Sequence, residues 1–506
     1  MRAERRRKLP FLLGGFSVAA LAIPASAQAH GIVGRANLPI PVWLFSWTAA
    51  IVLVVSFVAL STLWTRPQLQ EQHRRALARL PVVLEGLGGV LGVGLFALVV
   101  YSGFAGAQVA NANFSVTFIY VIFWVGIPVA SVLFGDVFRA LSPWRTCARA
   151  LSALVRQGSA SSASFASSTP ALASSSSSSS SSFSSAEPPR RKAPLRYPEW
   201  LGMWPAVAVI VGFAWLELVY EPADRDRPST LAALSLGYFL VMLVGMMSFG
   251  VEEWGAQADG FGAYFNLLSR LSPLCRDEHG IVCLRRPLSG VTSLRIRPGT
   301  VALICAVIGT TTFDGLSNGG VWRNVEPSLE SVFADLGFGP TPALELAYSV
   351  GLLFCLGLIG AVYRIGIAGM RSSVSARYDI GQLTHAFAHT LVPIGFAYVL
   401  AHYFSLLIWQ GQAIGYLASD PLGNGANLFG TSSYQIDYNV ISFAAIWYVQ
   451  VAALLTGHVA GLVLAHDRAL VMYDNVEEAA RSQYWMLAVM VAFTSFGLWL
   501  LSAVGT

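Results

Sequence analysis

The sequence predicts an all-α protein, a polytopic transmembrane helix bundle of about ten spans that follows an N-terminal signal peptide. Hydrophobic residues make up 55% of the 506 residues and charged residues only 12%, whereas roughly a quarter of an average soluble protein is charged. Apolar runs of about 20 residues, the length that a helix needs to cross a bilayer, recur along the chain. A backbone in lipid must satisfy its own hydrogen bonds, so these runs predict helices. The composition excludes a soluble globular enzyme.

The amino terminus has the pattern of a secretory signal peptide, which we assign to residues 1–29. Basic residues within positions 2–8 precede an apolar stretch at 9–23, and small residues lead up to Ala29. This order predicts cleavage, and the alternative is an uncleaved first helix. Cleavage after Ala29 would leave His30 as the mature amino terminus. A terminal histidine can chelate copper through its amine and its ring, which makes a copper-handling protein one alternative function.

Ten further apolar runs are long enough to span a bilayer. They lie at about 40–64, 82–104, 115–134, 203–220, 230–250, 298–314, 342–363, 383–410, 439–464 and 484–503. A serine-rich linker at 157–195 separates an amino-terminal part of three spans (30–156) from a carboxyl-terminal part of seven spans (196–506). We expect this linker to be disordered and cytoplasmic, because its composition cannot bury a core.

The distribution of basic residues predicts which side of the membrane each loop faces. With the mature amino terminus outside, the loops after the odd-numbered spans hold 23 Lys and Arg residues and the outer loops hold 4. This bias follows the positive-inside rule for a multi-pass protein of the bacterial inner membrane. The basic excess therefore indicates orientation in a lipid bilayer, and we predict no nucleic-acid partner.

Cysteine placement predicts no structural disulfide. Cys147, Cys275 and Cys283 fall in predicted cytoplasmic loops, and Cys305 and Cys355 fall in predicted spans. Disulfides persist mainly in oxidising compartments, which none of these positions occupies.

Histidines within the spans are the first candidates for chemistry, because ionisable groups inside a bilayer are costly and mostly functional. His385 and His389 are four residues apart and share one helix face. At about 1.5 Å of rise per residue, His458 and His466 reach similar depths on the next span. We predict an inner layer of these four histidines, with Asp467 as a further ligand, an orienting partner or a base.

A second layer nearer the outer face is the alternative. His402, Glu217 and Asp314 all lie toward the outer ends of their spans, below an acidic loop at 412–438. A histidine and two carboxylates can bind a divalent metal that activates water. Single polar residues in spans also hydrogen-bond neighbouring helices, and this structural role is the alternative for every residue of both layers.

Four strings of the sequence resemble those of a known family. They are residues 29–41, 313–317, 389–406 and 457–470. Together they resemble the bacterial membrane-bound fenitrothion hydrolases, organophosphorus hydrolases of the inner membrane, over nearly all of the chain apart from the signal and the linker. The resemblance implies hydrolysis of an apolar phosphorothioate triester, such as fenitrothion, to a nitrophenol and a dialkyl thiophosphate.

This activity leads to a specific hypothesis for the site. A divalent metal, zinc in the first instance, would activate water and withdraw charge from phosphorus. Its ligands would come from His385, His389, His402, His458, His466 and Asp314, and Glu217 or Asp467 would act as base or orienting partner. The main alternative is a secondary transporter, since glycines at 315, 319 and 320 could break the sixth span beside Asp314.

Overall fold

A computed structural model describes residues 42–71, 73–79, 81–166, 194–277, 280–374 and 377–503. The predicted signal peptide, His30 and most of the predicted linker lie outside this description. The described chain is mostly helical and contains one small antiparallel sheet. The all-α prediction is confirmed in this coarse form, as a bundle of largely apolar helices.

Short connections join most of the helices. The amino-terminal part contains α1 (Val42–Leu63), α2 (Val82–Ala105), a 3₁₀ turn (Ala110–Ala112), α3 (Phe114–Thr117), a π-helix (Phe118–Gly126), α4 (Ile127–Phe134), α5 (Val137–Leu141) and α6 (Pro143–Ala166). The first half of the carboxyl-terminal part contains α7 (Trp204–Leu218), α8 (Pro222–Arg225), α9 (Pro228–Phe249), α10 (Val251–Gln257), α11 (Gly260–Ser269), α12 (Ser289–Thr292), α13 (Thr300–Ser317) and α14 (Gly320–Asp335). The second half contains α15 (Pro340–Ser373), α16 (Ile380–Phe387), a 3₁₀ turn (Ala388–Thr390), α17 (Leu391–Trp409), a 3₁₀ turn (Gln410–Gln412), α18 (Ala413–Ser419), α19 (Phe443–Met472), α20 (Val476–Ser482) and α21 (Tyr484–Ala503). Helix α6 thus reaches into the first residues of the predicted linker.

Eight helical segments are long and apolar enough to cross a membrane within the described residues. They are Leu44–Leu63, Val83–Ala105, Phe114–Phe134, Pro228–Phe249, Thr300–Ser317, Pro340–Ser373, Ile380–Ser419 and Phe443–Met472. The shorter helix α7 and the last helix α21 occupy the two remaining predicted spans. Helices therefore occupy every position at which the sequence predicts a span, and the exact span count stays a prediction.

Local sequence signals account for several helix ends. Asp379 and Gln382 form a capping box at the start of α16, in which each side chain accepts from the other residue's backbone amide. The Ser442 hydroxyl caps α19 in a similar way. Pro228 and Pro340 occupy the first turns of α9 and α15, where a missing amide proton costs nothing.

The outward faces of the bundle are apolar. Val55 on α1, Val90 on α2, Val244 on α9 and Leu353 on α15 are each at least 60% exposed. Helix α13, in contrast, is buried along most of its length and packs against α7, α15 and α17. The outer helices thus present a lipid-compatible surface, and α13 forms the centre of the bundle.

Helices α17 and α19 approach each other closely because glycines face the contact. A β-carbon added at Gly457 would lie 2.8 Å from the Pro393 carbonyl oxygen, and one at Gly461 would lie 3.1 Å from that of Thr390. Small residues allow this kind of close packing between membrane helices. The contact fixes the position of α17, which carries His402.

Contacts between loops show which loops share an end of the bundle. The loop after α1 pairs with the segment between α11 and α12, as described below, and Arg145 in α6 binds Glu252 in α10 at 2.5 Å. At the opposite end, the Ala107 amide donates to the Leu422 carbonyl over 2.8 Å. These pairings agree with the predicted alternation of loops. The absolute orientation stays a prediction.

A three-stranded antiparallel sheet joins two distant loops. Its strands are β1 (Arg74–Arg79), β2 (Leu274–Arg276) and β3 (Ile281–Arg285), in the order β1-β3-β2. Cys275 and Cys283 face each other across β2 and β3, with their Cα atoms 5.0 Å apart, and form a disulfide. The prediction of no disulfide is wrong here. It relied on the expected compartment, whereas the register of the hairpin makes the two cysteines direct neighbours.

Candidate functional site

The strongest polar cluster within the bundle is centred on Asp314. This residue lies in the last turn of α13, and its side chain is completely buried. One of its carboxylate oxygens, Oδ2, lies 2.8 Å from Nε2 of His402 and accepts a hydrogen bond of 2.7 Å from the Tyr403 hydroxyl. The Asn318 side-chain amide lies 3.3 Å from the other oxygen. Three polar side chains therefore converge on one carboxylate.

The arrangement of His402 follows from the chemistry of its partner. An ionised carboxylate only accepts hydrogen bonds, so in this pairing Nε2 carries the ring proton and Nδ1 keeps its lone pair. The side chain is only 6% exposed, so the surrounding helices hold the ring in place. A histidine oriented in this way by a carboxylate has the arrangement of a general base.

Helix α17 supplies two neighbouring residues to the same carboxylate. His402 and Tyr403 are consecutive, and their rings stand nearly perpendicular with centroids 4.6 Å apart. Both side chains can reach Asp314 because α13 packs against α17. Tyr403 was not among the predicted site residues, because only carboxylates and histidines within the spans were candidates. Its position directly after His402 was the available signal.

Glu217, at the end of α7, belongs to the same region. It interacts electrostatically with Asp314, with Arg225 at the end of α8 and with Asp226 directly after that helix. Tyr403 also interacts with both Asp314 and Glu217. The three residues of the predicted outer layer, Glu217, Asp314 and His402, therefore occupy one neighbourhood. Arg225 is a cation that the sequence analysis did not include.

The π-helix at Phe118–Gly126 borders this cluster. Tyr120 donates a hydrogen bond of 3.1 Å to the Arg225 backbone carbonyl and interacts electrostatically with Glu217. Trp124 packs against Phe213 of α7, with ring centroids 4.6 Å apart. Helices of this kind are rare and frequently occur at functional sites. The π-helix thus places Tyr120 and Trp124 at the edge of the Asp314 cluster.

The four histidines of the predicted inner layer do not form a corresponding cluster. His458 Nδ1 bonds the Leu454 carbonyl of its own helix at 2.8 Å, and His466 Nε2 bonds the Trp64 carbonyl at 3.0 Å. His389 is 3% exposed, and its Nε2 has no partner within the described chain. His385 is exposed at the surface. Each ring has its own local surroundings.

Asp467 is a buried anchor for the loop after α1. Its Oδ1 accepts from the Gln68 amide at 2.6 Å and from the Trp64 indole at 3.1 Å. The Gln70 side chain donates to Oδ2 at 2.7 Å, and the Leu69 amide lies within 3.3 Å of both oxygens. These donors fill the carboxylate and leave it poorly placed to serve as a base.

The described side chains are not arranged as a ready zinc site, and the zinc ion stays a prediction. Among these residues, no group of three or more His, Cys, Asp or Glu side chains is placed to hold a metal. Asp314 Oδ2 already takes two hydrogen bonds, and both oxygens of Asp467 are occupied. Zinc needs at least three protein ligands that approach one ion to about 2 Å. The chemistry proposed below therefore uses only the acid–base groups of the chain.

Comparison with known proteins does not assign a family. No family model matches the chain, and no curated protein or solved structure is significantly similar to it. The function must therefore be inferred from the site.

Proposed function

We propose that this protein is an integral membrane hydrolase that cleaves an apolar organophosphorus triester, such as a phosphorothioate of the fenitrothion type. The observation that supports this most is the hydrogen-bonded pair of His402 and Asp314, buried among apolar helices. The substrate class is taken from the resemblance to the fenitrothion hydrolases expected at residues 389–406, since no matched protein supplies one. An apolar triester partitions into lipid and can reach a site inside the bundle.

In this proposal His402 activates water. Asp314 holds the ring so that Nδ1 accepts one proton from a water molecule as the water oxygen attacks phosphorus. A new P–O bond forms and the bond to the nitrophenolate breaks, which gives a dialkyl thiophosphate. Nitrophenolate is a good leaving group and needs no strong general acid. The imidazolium then returns its proton to solvent or to the nearby Glu217.

The test is nitrophenolate release by the purified, detergent-solubilised protein. We expect His402→Gln to lower kcat/KM by about 10²- to 10⁴-fold, the usual contribution of a general base. The matched control is His458→Gln, which changes a buried histidine that bonds only its own helix; its rate should stay within about twofold of wild type. Full activity in His402→Gln would overturn the proposal.

Chelation separates this mechanism from the predicted zinc mechanism. Exhaustive chelation followed by gel filtration should leave the rate of nitrophenolate release unchanged if the histidine alone activates water. A rate that collapses and returns with added zinc would instead support the metal hypothesis. That result would mean that zinc is held by a different arrangement of side chains from the one described here.

A secondary transporter is the second candidate, and interrupted helices favour it. Helix α13 ends at Ser317, three residues after Asp314, and the 3₁₀ turn at Ala388–Thr390 separates α16 from α17, the helix that carries His402. Transporters often place acidic residues at such breaks. Uptake of a labelled triester into proteoliposomes without release of nitrophenolate would favour transport over hydrolysis.

A further inference from the structure

An apolar groove opens between α7, α13, α15 and α16, away from the Asp314 cluster. Its volume is about 530 Å³. Val207, Val301 and Leu356 form part of its wall, and Gly357 and Gly360 of α15 form another part. A β-carbon added at either glycine would meet no atom within 4 Å. The backbone of α15 is therefore open to an elongated apolar molecule along this stretch.

One end of the groove is cationic. Arg297 and Arg364 supply the charge there, and His385 lies beside them, at the predicted cytoplasmic ends of α13, α15 and α16. Trp204, at the start of α7, lies at the same end and is 51% exposed. No Asp or Glu is among the described residues that line the groove. The groove thus combines an apolar body with a positive mouth at the predicted cytoplasmic ends of the spans.

The two arginines are available to an anion. Arg364 is exposed and has no acidic partner in the described part of the chain. Arg297 contacts Glu253 at 3.4 Å, with 34% and 53% of the two side chains exposed. Ion pairs this exposed contribute little and are readily exchanged.

The groove is continuous with the lipid-facing surface. Leu353 and Phe354, one turn before Gly357 on α15, are 63% and 62% exposed. A molecule can therefore have one part in the groove and another in the bilayer. A free phosphate ion would use only the arginines and leave the apolar wall without a role.

We infer that this groove is a binding site for one anionic phospholipid. Its phosphate would lie between Arg297 and Arg364 beside His385, and an acyl chain would extend along Gly360 and Gly357. Basic pockets between membrane helices on the cytoplasmic side recognise lipid head groups in this way. The site is separate from the proposed hydrolytic site and does not depend on it.

Native mass spectrometry of the full chain in detergent tests this inference. The protein is titrated with phosphatidylglycerol, and phosphatidylcholine serves as the neutral comparison. We expect Arg297→Gln or Arg364→Gln to weaken phosphatidylglycerol binding about 5-fold each, and the double variant about 30-fold, as one arginine near a lipid surface is worth about 1 kcal/mol. The matched control is Arg371→Gln, an exposed arginine on the same helix that does not line the groove; it should bind within about twofold of wild type.

A second variant tests the apolar part of the site. Gly360→Leu keeps both arginines and fills the apolar part of the groove, so it should also weaken phosphatidylglycerol binding. The double arginine variant binding like wild type would overturn the inference. So would loss of binding on addition of inorganic phosphate together with normal binding by Gly360→Leu, since that pattern indicates a free-anion site.

Discussion

Asp314 and Asp467 are both completely buried and both accept several hydrogen bonds, yet their partners differ in kind. Asp467 is bound by backbone amides, an indole and a carboxamide, none of which ionises near neutral pH. Asp314 is bound by the imidazole of His402 and the phenol of Tyr403. Burial is therefore the same for both carboxylates, and only the donors around Asp314 include an imidazole that could carry a proton in the proposed reaction.

The two aspartates also connect different parts of the molecule. Asp467 joins α19 to the loop after α1, about 400 residues away in the sequence. Asp314 joins the central helix α13 to α17. We therefore expect changes at Asp467 to appear mainly in stability and changes at Asp314 mainly in activity.

The largest expected effect is that of Asp314→Asn. Asparagine keeps the size of the side chain but no longer holds the Nε2–H form of His402. Nitrophenolate release should fall by about 10²- to 10⁴-fold, as for loss of the base itself. The size-exclusion profile should stay that of the wild type. Full activity of Asp314→Asn would contradict the proposed role of Asp314 in the reaction.

The next effect is that of Asp467→Asn on stability. Hydrogen bonds to a charged group contribute about 1.5–3 kcal/mol, and the amide cannot accept from all of the donors around it. We expect a lower melting temperature in detergent and a rate per folded molecule within about twofold of wild type. Unchanged stability together with a large loss of rate would instead make Asp467 part of the chemistry, as the sequence analysis proposed.

A smaller effect is expected for Tyr403→Phe. This change removes one donor to Asp314 and leaves His402 in place. The loss of one hydrogen bond, worth about 0.5–1.5 kcal/mol, corresponds to a rate about 2- to 10-fold lower. The same assay measures it. A loss as large as that of Asp314→Asn would show that the hydroxyl acts directly on the reactants.

The smallest effect concerns an exposed carboxylate, Glu252 of α10. Burial raises its pKa, but Arg145, with help from Arg139 and Arg149, outweighs this and holds the pKa below its ordinary value. A lowered pKa stabilises the fold at pH values above the unfolded pKa, and this contribution is lost as pH falls through the folded value. The side chain is 58% exposed, so Glu252→Gln should cost less than about 1 kcal/mol at pH 7. The difference in melting temperature from wild type should shrink as the pH falls below 5.

The sequence predicted the helix positions, because the apolar runs are long enough to span a bilayer. It also predicted part of the outer cluster, because the number of residues from the end of a span gives the depth of a side chain in the membrane. Glu217, Asp314 and His402 were grouped by depth alone. The role of Asp467 could not be predicted, since its partners lie in a loop far away in the sequence. Strand β1 was also missed. Its sequence, Arg-Arg-Ala-Leu-Ala-Arg, is fully exposed and has no apolar alternation.

The small sheet has a consequence for biogenesis. Strand β1 ends at Arg79, and its partner β3 begins only at Ile281. Helix α1 and strand β1 are therefore synthesised about 200 residues before β3, and the sheet can form only after β3 has been made. Pairing across such a separation carries a loop-closure cost and forms late.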